Sequence, residues 1–102
     1  MYKKQGGMLM KIVELLSINL RYYRKKYNLS QEKFAEVLGT SLSHLNKIEQ
    51  NKIDVKSSSI DKYAKRLNIY DSKLNISSED LVTYKEERKT NFIRIDEKNK
   101  TT

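Results

Sequence analysis

A chain of 102 residues holds one domain, and this one carries 21 Lys and Arg against 13 Asp and Glu, a formal net charge of +8. With no Cys, Pro or Trp and a single His, it offers no disulfide framework, thiolate zinc site, cysteine nucleophile or histidine-rich metal cluster, and no cofactor is expected. Its 37% of hydrophobic residues suffice for a modest core.

Residues 1–10 match no helical pattern and read as a flexible extension or a mis-assigned start. Codons for Lys4 to Gly7 can spell a purine-rich ribosome-binding sequence, so translation from near Met10 is expected. The longest apolar stretch, Met8 to Leu16, is broken by Lys11 and Glu14 and is far shorter than the ~20 residues of a membrane span. No small-residue cleavage site follows it, so it does not read as a secretory signal, and a cytoplasmic protein is expected.

Steps of three and four through Ile12, Leu15, Leu16, Leu20, Tyr23 and Tyr27 predict a helix over 11–27, with Asn28 suited to a left-handed end. Ser30 caps a short second helix bearing Phe34, Ala35, Val37 and Leu38 and closed by Gly39. Ser41 caps a third, bearing Leu42, Leu45 and Ile48, which stops near Gln50 with Asn51 left-handed. Ser57 to Ser59 open a fourth along Ile60, Tyr63, Ala64 and Leu67; it either breaks at Asn68 or runs two turns further. Ser77 to Asp80 read as an N-cap and acidic first turn of a helix reaching about Lys89. No segment before residue 90 alternates like a strand. Asn91 to Asp96 read as a short strand, and 97–102 as disordered. The expected architecture is all-α: a compact four- to five-helix domain over 11–76 with a C-terminal helical extension over 77–102.

The charge is unevenly placed. Residues 11–70 hold twelve bases and six acids, whereas 71–102 hold seven of each. A basic excess confined to the best-patterned helices is the footprint of a phosphate-backbone binder, although lysine-rich surfaces also serve solubility. Residues 31–50 add a geometric requirement. Two short helices crossing around a tight turn need a small residue at their closest approach, a positive φ between them and apolar residues inside. Ala35, Gly39 and the set Phe34, Leu38, Leu45 and Ile48 meet it.

These positions resemble the lambda-repressor-like, XRE-type helix-turn-helix family of bacterial and phage DNA-binding regulators. The likeness runs from Leu16 to Ile69 and is carried by Leu20-Arg21-x-x-Arg24, Leu29-Ser30-Gln31, Phe34-Ala35, Leu38-Gly39, Leu45-x-x-Ile48-Glu49 and Ile60-x-x-Tyr63-Ala64-x-x-Leu67. Asn51 replaces the family's usual glycine, and Val55 its usual proline, so the link into the fourth helix lacks proline's stiffness.

The resemblance implies a third helix in the major groove with Ser41, Leu42, Ser43, His44, Asn46 and Lys47 toward the bases. Asn46 suits an adenine edge, Lys47 guanine or a phosphate, and the serines either. Leu42 has no hydrogen bond to offer and either packs on a thymine methyl or folds back into the core. His44 either contacts DNA or is solvated. Gln31 matches the family residue that clamps the DNA backbone beside a helix N-terminus, and Lys52 and Lys56 are further phosphate contacts. Arg21 and Lys25 face phosphate or solvent, with solvent favoured. Arg24 and Glu49 match positions that the family joins in a largely buried salt bridge.

The function implied is sequence-specific binding of double-stranded operator DNA by a transcriptional regulator, as a repressor and a homodimer. The C-terminal segment, with Leu81, Val82, Tyr84, Phe92, Ile93 and Ile95, either forms a dimer or protein-partner surface or packs on its own core. An antitoxin built on the same module and a helix-turn-helix repurposed for protein binding are the alternatives. Glu32 and Glu36 lie one turn apart but read as solvated acids, so no enzymatic activity is expected.

Overall fold

The computed structural model describes residues 2–5, 8–85 and 88. Among the described residues two short strands, β1 (Tyr2–Gln5) and β2 (Met8–Lys11), precede five helices: α1 (Ile12–Lys26), α2 (Gln31–Leu38), α3 (Leu42–Glu49), α4 (Ser57–Tyr70) and α5 (Ser78–Leu81). α1 packs on α3 and α5, α2 on α3 and α4, and α4 on α5. The predicted spacing of apolar residues becomes the core: Leu15, Leu16, Leu20, Phe34, Leu38, Leu45, Ile48 and Leu67 are fully buried at its centre. No helix among the described residues is long and apolar enough to cross a membrane.

Three of the helix ends form as their residue types require. Asn28, Gly39 and Asn51 take φ of 54°, 73° and 59°. In each case the following amide reaches back five residues: Leu29 to the Arg24 carbonyl, Thr40 to Ala35 and Lys52 to Lys47. These bonds satisfy carbonyls that a helix end leaves without partners. Gly39 is further constrained, because a Cβ there would lie 3.3 Å from Arg66 Nε. Ser30 and Ser41 accept from the amides of Lys33 and His44, each at 3.1 Å. α4 instead begins after Lys56 without a side-chain cap, and Ser57 to Ser59 are its first three residues.

Four departures from the sequence reading have physical causes. The first is the hairpin, whose strands pair antiparallel with Tyr2 opposite Lys11 and Gln5 opposite Met8. Met8, Leu9 and Met10 are all apolar, so the run shows no alternation, and the signal left in the sequence is Gly6-Gly7 between two four-residue runs. A lone hairpin is marginal in water; this one buries Met10 in the core and sets Lys3 against Glu79.

The second is the end of α4, which falls at Tyr70, between the two expected limits. Asn68 clips the next loop onto the helix rather than breaking it: its Oδ1 accepts from the Ile76 amide at 2.9 Å and its Nδ2 donates to the Ile76 carbonyl at 2.7 Å.

The third is α5, one turn long where a helix to Lys89 was expected. Val82, Thr83 and Tyr84 are poor helix formers, and the Thr83 hydroxyl donates to the Glu79 carbonyl at 2.7 Å in competition with the helix ladder. The carbonyls of Leu81 and Thr83 meanwhile accept from Asn19 Nδ2 at 2.9 and 3.0 Å. The fourth is the link into α4, pinned by burial of Val55 in place of proline stiffness. The strand expected over 91–96 and the disorder expected over 97–102 lie outside the described residues.

Candidate nucleic-acid interface

A two-helix recognition unit is useful only if its second helix is held at a fixed angle, and here that angle rests on Glu49. This last residue of α3 is 6% exposed. Its Oε2 accepts from Arg24 Nε at 3.0 Å, and its Oε1 from Arg24 Nη2 at 3.2 Å and Gln31 Nε2 at 3.0 Å. Arg21 Nε lies 3.9 Å from Oε1, and Ser17 on α1 donates to the Glu49 backbone carbonyl at 3.0 Å. One carboxylate thus joins α1, the start of α2 and the end of α3. A buried ion needs this many donors to offset the loss of water.

Two sequence expectations change here. Arg21 turns its Nε toward Glu49 while the side chain stays partly exposed. Gln31 commits one amide hydrogen inward, which fixes its orientation and leaves its second N–H outside that bond, at the first residue of α2.

The other end of α2 is held from α4. Arg66 donates to the carbonyls of Val37 at 2.9 Å and Glu36 at 3.0 Å, and Lys62 to that of Gly39 at 2.8 Å. Cations at a helix C-terminus are favoured by its exposed carbonyls and dipole. These two bases therefore tie α4 to the end of α2 while remaining exposed.

α3 presents the remaining surface. Leu42, Ser43, Asn46, Lys47, Gln50 and Lys52 line one open depression. Leu42, Ser43, Lys47, Gln50 and Lys52 are exposed and Asn46 is half-buried. The structure thus brings together four of the six residues expected at the bases with one of the expected phosphate contacts. Ser41 and His44 do not line the depression. Ser41 is exposed, with its oxygen accepting the capping bond, which leaves its O–H and one further lone pair. His44 is half-buried, and Lys56 is exposed one link further on, at the start of α4.

Gln50, which the sequence marks only as the end of the third helix, joins this depression as the C-cap of α3. Its signal was its spacing, one turn beyond Asn46 on the same face. None of the side chains of Ser43, Asn46, Lys47, Gln50 or Lys52 makes a hydrogen bond among the described residues, so their donors and acceptors are free for a partner.

Comparison with known proteins places the fold. Residues 20–80 match the family model described as helix-turn-helix. Over 59 residues, 58% of this chain and 70% of the relative, the sequence is 39% identical to the control protein C.SmaI of Serratia marcescens. The fold is similar to that of the crystal structure of a hypothetical transcription factor, NHTF, from Neisseria, with a TM-score of 0.62 at 22% identity over 78% of this chain and 84% of the other.

Proposed function

We propose that this chain, which belongs to the XRE-type, lambda-repressor-like helix-turn-helix family, binds operator DNA sequence-specifically as a two-fold dimer and represses transcription. DNA-binding regulation comes with the family; sequence specificity, repression and the dimer are the further reading. The observation that carries it is the face of α3. A row of side chains with unused donors and acceptors lies on a helix whose far end is locked by Glu49. A relative named as a control protein supports a regulatory role.

In this reading Ser41, Leu42, Ser43, His44, Asn46 and Lys47 face base edges in the major groove, joined by Gln50, while Gln31, Lys52 and Lys56 hold phosphates. Selection of binding sites from random duplexes tests it. The expected product is a palindromic motif with half-sites ~34–36 Å apart, bound with an affinity that falls steeply as salt rises. Absence of enrichment, or binding indifferent to salt, would overturn it.

A further inference from the structure

Among the described residues five large apolar side chains are exposed, and four of them lie away from α3: Tyr2 and Leu9 on the hairpin, Ile69 and Tyr70 at the end of α4. The fifth is Leu42, 41% exposed at the first position of α3. It belongs neither to the core nor to the partly buried residues packed against the core. Of the two roles open to it from sequence, folding back into the interior is therefore excluded, and folding gives no reason for a leucine at this position. Its neighbours in the depression, Ser43, Asn46, Lys47, Gln50 and Lys52, all offer hydrogen bonds. Leu42 alone offers an apolar surface and nothing else.

The major groove presents one apolar group that distinguishes bases, the C5-methyl of thymine, which cytosine lacks. A 5-methylcytosine carries the same group at the same ring position. On the premise that α3 enters the groove, we infer that Leu42 is a specificity-determining residue that reads a pyrimidine 5-methyl group. Asn46, one turn along the same face, is then placed for a purine edge of the same or the adjacent pair. Leu42 contributes by removing the methyl and its own side chain from water, which needs no directional bond and leaves discrimination to a single carbon.

The test uses the full chain and the duplex recovered by site selection. Each thymine of the half-site is replaced singly by deoxyuridine, which deletes only the methyl. At one position this is expected to weaken binding about fourfold, the ratio corresponding to one buried methyl group at about 0.8 kcal/mol. Leu42→Ala is expected to bind the thymine and uracil duplexes equally there, while Leu42→Met retains part of the difference.

Cytosine and 5-methylcytosine duplexes at the same position separate the two sources of the methyl. A gain on methylation shows that the methyl suffices on either base, and no gain restricts the reading to thymine. Equal binding of thymine and uracil duplexes at every position, or discrimination that survives in Leu42→Ala, overturns the inference while DNA binding stands. Failure of either protein to bind any duplex in a salt-dependent way overturns the DNA-binding premise itself, and this inference with it.

Discussion

α1 holds the rest of the molecule by two polar anchors little more than a turn apart, and they work by different rules. Toward its C-terminal end Arg24 grips Glu49, a charge-to-charge bond that also recruits Arg21 and Gln31 and sets the angle of α3. Earlier, Asn19, 1% exposed, donates to the carbonyls of Leu81 and Thr83 and accepts from Arg88 Nη1 at 2.7 Å. Arg88 also donates to the Tyr23 hydroxyl at 3.2 Å, with its guanidinium 4.7 Å from the Tyr22 ring and 5.2 Å from that of Tyr23. Among the described residues the groups in direct contact with this cation are neutral, with the Asp80 carboxylate acting on it only through space, so hydrogen bonds and aromatic faces lead here where an ion pair leads at Glu49. An ion pair fails expensively when halved, because the charge that remains is stranded. A neutral cluster fails by single unsatisfied groups.

That difference is broken most severely by Glu49→Ala. The variant strands Arg24 and frees Gln31, and it is expected to lose about 3 kcal/mol or more, which thermal denaturation reads as a melting temperature lower by roughly 12–24 °C. A loss below about 1 kcal/mol would show that the carboxylate network is not what fixes α3.

Asn19→Ala comes next, at about 2 kcal/mol, because two carbonyls and one guanidinium N–H lose their partner together. Its distinguishing consequence is local. Lys85, exposed after the anchored carbonyls, should be cut faster by trypsin in this variant than in Glu49→Ala brought to the same overall stability. Equal rates would mean that Asn19 does not hold the tail in particular.

Lys47→Ala reverses the pattern of Glu49→Ala. Being exposed and uninvolved in either anchor, Lys47 should leave stability within about 0.5 kcal/mol. If it meets a phosphate, its loss weakens DNA binding by a similar factor across sequences and lowers the salt slope by about one; if it meets guanine, the loss falls on that base pair. Binding isotherms in which Glu49→Ala is the milder of the two at temperatures where both are folded fit this division. A Lys47→Ala protein that melts earlier than Glu49→Ala contradicts it.

The two anchors also differ in how far they were legible. Arg24 and Glu49 are opposite charges at positions that a family resemblance brings together, so each points to the other. Asn19 carried a weaker sign: it sits on the apolar stripe between Leu15 and Tyr23, where a polar residue must find partners. Those partners are two backbone carbonyls and one arginine far along the chain, and no side-chain pattern encodes a carbonyl. The same reason explains α5. Its capping residues were readable and its length was not, because the carbonyls that would continue the helix are taken by Asn19. The helix ends at Asn28, Gly39 and Asn51 were legible because each is a local backbone requirement of one residue type. At the recognition face the residue types were readable, whereas the exposure of Leu42 and the inclusion of Gln50 needed the packed structure.

The smallest effect separates the anchors by pH. Asn19 does not titrate, but the turn that delivers its partners does. Ser77 caps α5, its amide donating to Asp80 Oδ2 at 2.8 Å while its hydroxyl oxygen accepts from the Asp80 amide at 3.4 Å. The Ser77 amide bond, chiefly, holds the Asp80 carboxyl below its ordinary value against the opposing effect of burial. A carboxyl lowered in the folded state stabilises above its unfolded pKa of about 3.9, and that contribution disappears as pH falls through the folded value. Asp80→Asn should therefore cost a few tenths of a kcal/mol at pH 7, an amount kept small by solvent screening. The gap between wild type and variant should close below about pH 4. Chemical denaturation of both proteins from pH 7 to pH 2.5 measures the gap directly. If it stays constant across that range, the ionised carboxylate is not what secures the first turn of α5, and the tail's hold on α1 rests on Asn19 and Arg88 alone.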